Sequence, residues 1–184
     1  MGRTLFGIEF VNIFDVPLER RLQTLAVFQW TITFLYLGLF CFFLAFCMFF
    51  SPLWFLALSY SVWFYYDRGT PERGGRRSEW VRNWTVWNYF KDYFPVRLHK
   101  TGDLLPTKNY LMIYHPHGIM GHGAFINFAT DATGFTKLFP GIRSTLLSLK
   151  YQFLFPFNRE YVMALGNKIS FLLFLKLCYP AKLI

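Results

Sequence analysis

Three of the four histidines fall within eight residues: His115, His117 and His122. Pro116 locks a backbone angle between the first two, and Gly118 permits close approach of another chain or a ligand. An imidazole, with a reference pKa of about 6.5, suits general-base work near neutral pH. Beside an alcohol, such a base removes the hydroxyl proton as the oxygen attacks an acyl carbon. If the acyl donor is a thioester, the leaving thiolate is a good one, its thiol having a pKa near 8.5. His117, next to Gly118, is the first candidate for the base and His115 the second. Two other readings stay open on residue type: a zinc site built from the three histidines, and imidazoles bonded to backbone carbonyls for structure. Asp131 and Glu160 are the acidic residues downstream that could orient an imidazole. No glycine-rich phosphate loop and no serine-centred nucleophile elbow occurs.

The elements around the cluster must hold it in place. Tyr110–Tyr114 is a short apolar run that reads as a buried strand. The apolar and small residues from Ile119 to Phe128 read as the opening of a helix, whose free N–H groups suit a developing oxyanion. Upstream, Ser78 is a candidate cap for a helix carrying Trp80, Trp84, Trp87 and Tyr89–Phe90 at three- and four-residue steps. That aromatic stripe either packs on the core or lies on a membrane surface. Tyr93-Phe94-Pro95 should end the helix, because proline disfavours helical geometry in the residue before it.

Composition sets the wider frame. Of 184 residues, 54% are hydrophobic, 22% aromatic and only 16% charged. Such a chain is neither disordered nor low-complexity. Three cysteines (Cys41, Cys47, Cys178) do not make a disulfide framework and read as reduced thiols. From Leu22 to Tyr66 there are 45 residues without a charge. As helix they would extend about 68 Å, against a hydrocarbon core of about 30 Å. One crossing is too few, so two segments with a fold-back near residues 45–52 are expected, with Gly38 and Ser51-Pro52 as candidate breaks. The second segment is short enough for a re-entrant hairpin. Arg20 and Arg21 precede the run and Arg68, Arg73, Arg76, Arg77 and Arg82 follow it. Basic flanks on both sides place both ends in the cytosol. Trp30, Trp54, Trp63, Tyr65 and Tyr66 are candidate interfacial anchors. The net charge of +9 lies mostly after the run. It suits anionic lipid, and no nucleic-acid recognition element accompanies it.

Six blocks in order carry a resemblance: Phe34-Leu35-Tyr36-Leu37, Thr70 to Arg77, Asp92-Tyr93-Phe94-Pro95, His115-Pro116-His117-Gly118, Phe139-Pro140-Gly141-Ile142 and Arg159-Glu160-Tyr161-Val162-Met163. Over residues 16–166 the chain resembles the diacylglycerol acyltransferase type 2 family, which also holds the monoacylglycerol and wax-alcohol acyltransferases. The resemblance implies an α/β fold: an N-terminal transmembrane helical hairpin followed by part of a cytosolic α/β acyltransferase domain. The expected divisions are a cytosolic N-terminus (1–21), the hairpin (22–66), a partial acyltransferase domain (67–166) and a divergent apolar tail (167–184). It implies transfer of a fatty acyl group from acyl-CoA to a hydroxyl of a mono- or diacylglycerol, or of a fatty alcohol, at the endoplasmic reticulum membrane. Acyl-CoA is a co-substrate, and no cofactor or metal is expected. Neutral lipid acceptor, membrane lipid and a homo-oligomeric partner are the expected associations. The resemblance places function on His115, Pro116, His117 and Gly118 and on Tyr93, Phe94 and Pro95. Arg73, Arg76 and Arg77 are candidates for the coenzyme A phosphates, since guanidinium forks match phosphate oxygens; they serve equally as topology-setting charges. Family members are much longer, so the chain reads as a C-terminally truncated form. The alternative expectation is an inactive membrane protein that associates with the full-length enzyme.

Overall fold

The structure, a computed structural model, describes residues 3–5, 8–10, 12, 14–115, 118 and 120–169. Two short strands, β1 (Arg3–Leu5) and β2 (Ile8–Phe10), pair antiparallel with Leu5 opposite Ile8. Pro17 then precedes a 32-residue helix, α1 (Leu18–Phe49). Proline is tolerated there because the first helical N–H groups have no intrahelical partner. Residues 50–53 turn the chain, and α2 (Trp54–Asp67) follows. Ser51 Oγ accepts from Leu53 N at 3.1 Å and donates to Met48 O at 2.9 Å, so the turn sits at the Ser51-Pro52 pair. Gly38 is no break. It lies inside α1 and opens a notch for the Phe155 ring, which a Cβ would meet at 2.7 Å.

α1 alone is long and apolar enough to cross a membrane among the described residues. Much of its surface from Leu25 through Phe49 is exposed and apolar, including Phe28, Leu39, Phe40, Phe42 and Phe43. One stripe is different. Ala26 and Trp30 are buried, with the Trp30 ring 5.4 Å from Phe90 and 5.0 Å from Phe125. Trp30 is therefore a core residue rather than an interfacial anchor.

A 3-10 turn (Thr70–Glu72) leads to α3 (Glu79–Arg82), which Ser78 caps by accepting from Val81 N, and then to α4 (Val86–Tyr93). The aromatic stripe thus spans two helices broken at residues 83–85, where one was expected. Trp87 and Phe90 are fully buried in the core, whereas Trp80 is 74% exposed. α4 ends at Tyr93, before Phe94-Pro95.

Residues 110–114 form no strand. They are exposed and irregular, with Ile113 at 85% exposure. α5 (His122–Ala124) runs directly into a π-helical turn (Phe125–Ala129), and α6 (Phe135–Leu138) follows. β3 (Leu147–Ser148), a 3-10 turn (Lys150–Phe153), α7 (Asn158–Ala164) and β4 (Lys168–Ile169) complete the described chain. β3 and β4 pair in parallel, Leu147 opposite Lys168. Parallel strands need a crossover, which α7 supplies. The fold is therefore mixed, with helices dominant over two small two-stranded sheets.

Two buried arginines tie these pieces together. Arg82, fully buried, directs Nη1 at the carbonyls of Ala129 (2.7 Å), Leu165 (2.8 Å) and Phe128 (3.1 Å). Its Nη2 reaches Ser144 Oγ at 3.1 Å and Thr130 O at 3.3 Å. Burial, and then the neighbouring Arg77 charge, pull its pKa down to about 10, still charged at neutral pH. Arg82 is thus a joint between α3, the π-helical turn and α7, not a free basic flank. Arg159 serves α2 in the same way, donating to Asp67 Oδ2 at 2.7 Å and Asp67 O at 2.9 Å. Cations at a helix C-terminus meet its unpaired carbonyls and its negative dipole end. Tyr60 Oη donates to Glu160 Oε2 at 2.9 Å and accepts from Phe157 N at 2.8 Å. This holds Phe157 at φ +59, an uncommon conformation for a bulky residue.

Candidate functional site

His115 is exposed, and it adjoins Tyr114, whose hydroxyl lies over the first turn of α5. A Cβ at Gly123 would stand 2.1 Å from Tyr114 Oη, so any larger residue there must displace the Tyr114 side chain. Gly118 (φ +63) and Gly121 (φ +57) both take left-handed conformations, which let the segment double back into α5. His117, the first candidate for the base, lies outside the described residues, as do Pro116 and Ile119.

His122 is enclosed by rings. Its centroid is 4.8 Å from Trp30, 5.1 Å from Phe94 and 5.8 Å from Phe90. Burial alone lowers its pKa, because an apolar surrounding disfavours the charged imidazole. His122 thus joins α1, α4 and α5 as a packed aromatic. Phe94 is the link between the Tyr93-Phe94-Pro95 block and the histidine segment. Tyr93 packs under the Arg20 guanidinium at 4.1 Å, which fixes the end of α4 to the start of α1. Beyond Pro95 a polar cleft of about 440 Å³ opens between Lys91, Arg97 and Thr133.

The acidic residues that could orient an imidazole are engaged elsewhere. Asp131 Oδ1 accepts from Thr136 N at 2.9 Å and Thr136 Oγ1 at 2.8 Å. Glu160 bonds Tyr60. Among the described residues no group of three His, Cys, Asp or Glu side chains could hold a metal ion.

The three candidate phosphate arginines differ. Arg76 pairs with Asp67. Burial opposes ionisation of Asp67, yet the Thr70 and Arg76 hydrogen bonds and the Arg76 and Arg159 charges override it and hold the carboxyl below its usual range. Arg77 is mostly buried, bonding Glu79 Oε1 and the Ser144 carbonyl, each at 2.6 Å. Arg73 is exposed and makes no ion pair among the described residues.

A largely apolar cavity of about 1150 Å³ opens beside α1. One wall is the α1 face at Trp30, Phe34, Gly38 and Leu39. Tyr161 and Val162 of α7, Leu165 and Asn167 after it, and Tyr114, Met120 and Gly121 also line the cavity. The volume exceeds the few hundred to about 1,000 Å³ of ordinary small-ligand pockets and suits long acyl chains. Sequence reading missed this cavity and the polar residues of α7 beside it. The signal present was the Arg159–Met163 block, which includes Tyr161 and Val162 on the cavity wall.

A family model described as diacylglycerol acyltransferase matches residues 46–171. Diacylglycerol O-acyltransferase 2 of Homo sapiens is 49% identical over 162 residues, covering 88% of this chain and 41% of the human protein. The Danio rerio protein of the same name is 50% identical over 160 residues, 84% of this chain and 44% of its own length. The 2-acylglycerol O-acyltransferase 1 of Bos taurus is 50% identical over 159 residues, 86% of this chain and 47% of its own. The chain therefore spans less than half the length of these relatives. No solved structure matches it.

Proposed function

The chain belongs to the diacylglycerol acyltransferase family, and on that premise we propose that it supplies the membrane-embedded, histidine-bearing part of an acyl-CoA:acylglycerol O-acyltransferase of neutral lipid synthesis. The acceptor is the hydroxyl of a mono- or diacylglycerol, or of a fatty alcohol. The observation that carries this reading is the apolar cavity between α1 and the histidine segment. A lipid with its chains there can bring a hydroxyl to the His115–Gly118 loop. The imidazole of His117, or of His115, takes the hydroxyl proton while the oxygen attacks the thioester carbon. The C–O bond forms, the C–S bond breaks, and the proton passes to the coenzyme A sulfur. No covalent enzyme intermediate is needed. Arg73, exposed and unpaired among the described residues, is the first of the three arginines for a coenzyme A phosphate.

In this reading α1 and α2 enter the endoplasmic reticulum membrane from the cytosolic side and return to it. α2 has 14 residues, about 21 Å, which falls short of a core of about 30 Å. A re-entrant pair fits that length better than two full crossings.

The test is acyl transfer by microsomes from cells lacking neutral-lipid acyltransferases and expressing this chain. Labelled acyl-CoA and a panel of acceptors are supplied, with His115→Ala/His117→Ala beside the wild type. Transfer lost in the double variant supports the reading. Transfer unchanged in it removes both histidines from the mechanism. A second reading is a membrane partner of a longer family member, favoured by the exposed apolar run at residues 110–114. It predicts co-purification with that member in mild detergent, lost when Ile113 becomes Lys.

A further inference from the structure

The cavity is apolar over most of its wall, but its α7 side carries side-chain groups left without partners. Asn167 is 6% exposed and lines the cavity, and its Oδ1 meets no hydrogen-bond partner among the described residues. Tyr161, one α-helical turn before the end of α7, lines the same wall. Among the described residues its buried hydroxyl has no partner at hydrogen-bond geometry; burial pushes its pKa up to about 12, and the nearby Gln29 side chain lowers it by less. Two other buried polar side chains that line the cavity have partners: Asn158 Nδ2 donates to Gln152 O at 2.8 Å, and Ser144 Oγ donates to Phe128 O at 2.9 Å.

A buried acceptor without a donor is destabilising unless a bound group completes it. A hydroxyl both donates and accepts, so it suits Asn167 whichever amide end faces it, and it suits a phenol as well. Acyl chains offer neither function. Resting on the acylglycerol reading above, we propose that Asn167 and Tyr161 form a polar pole of the cavity that binds the glycerol hydroxyl of the acceptor lipid. The pole selects a lipid with a free hydroxyl from fully esterified or capped lipids of equal apolar bulk. Tyr161 and Asn167 line the same cavity as Tyr114, Met120 and Gly121, which flank the His115–Gly118 segment in the chain.

The experiment uses the whole chain in phosphatidylcholine nanodiscs, labelled by a photoreactive diacylglycerol. Dioleoylglycerol and its O-methyl ether compete for the site. In the wild type the free hydroxyl should compete roughly tenfold better, the worth of one neutral hydrogen bond. In Asn167→Leu that ratio should fall below about threefold while the ether competes as before. If Asn167→Leu loses all labelling, Tyr161→Phe, which removes one oxygen, must lower the ratio instead. Equal competition by both lipids in the wild type overturns the pole and leaves the cavity's lipid role standing. So does a ratio unchanged by either variant, or an effect confined to competing oleoyl-CoA. Failure of both lipids to compete overturns the acylglycerol reading itself.

Discussion

Arg82 reaches carbonyl or hydroxyl oxygens of Phe128, Ala129, Thr130, Ser144 and Leu165 from a fully buried position. Truncation would strip several buried acceptors of their donor at once, each loss amounting to about 1–3 kcal/mol. Arg82→Met should therefore destabilise the chain by about 3–5 kcal/mol, read as lost protease resistance in detergent. Arg82→Lys should not rescue it, because a point charge cannot replace the fork. Gly123→Ala tests a different contact. The new methyl must displace Tyr114, so acyl transfer should fall severalfold, and Tyr114→Phe in the same chain should restore part of it. His122 gives the pH dependence. Its folded pKa is lowered, so between that value and 6.5 the unfolded chain binds a proton that the folded chain excludes. Stability is thus full above that window and declines as pH falls through it. His122→Leu should flatten the decline that begins as pH falls below about 6.5, measured by the same protease assay. On the proposed coenzyme A contact, Arg73→Ala should raise KM for acyl-CoA with kcat little changed. An unchanged KM would return Arg73 to a topology role.

At the scale of elements, the helix pair decides how the chain meets the membrane. The α1 face at Ala26, Trp30 and Gly38 packs on the body, while its other faces and the residue 50–53 turn stay apolar and exposed. A re-entrant pair leaves the turn inside the bilayer. Ser51→Cys in a background without Cys41, Cys47 and Cys178 should therefore resist an impermeant thiol reagent from both the cytosolic and the lumenal side. It should react only after denaturation. Lumenal labelling would establish two full crossings. Gly38→Ala tests the docking of α1 on Phe155. The 2.7 Å approach should loosen that contact and destabilise the fold by about 1–3 kcal/mol, with Phe155→Leu giving relief.

On the scale of the whole molecule, the cavity exists only because α1 lies beside α7 and the histidine segment. The uncharged run from Leu22 to Tyr66, the turn at Ser51-Pro52, the Ser78 cap and the halt before Pro95 were all legible in the sequence. Each is local: charge, proline geometry and capping act within a few residues. The family was legible too, because six short blocks in order are specific without any knowledge of their contacts. Gly38 was misread as a break because its reason is a ring 117 residues away, at Phe155. Trp30 looked like a membrane anchor and Arg82 like a flanking charge, since residue type alone cannot show what packs around it. His122 stood in the histidine cluster by spacing, yet three rings from α1 and α4 hold it as a packing residue. What the sequence determined by itself is what periodicity, composition and local geometry encode: the apolar helices, their ends and the family. The burial of Arg82 and Arg159, the linking of Phe94 to His122 and the cavity with its unpaired Asn167 were decided only by the tertiary structure. Those depend on contacts between residues far apart in the chain, and such contacts leave no periodic trace in the sequence.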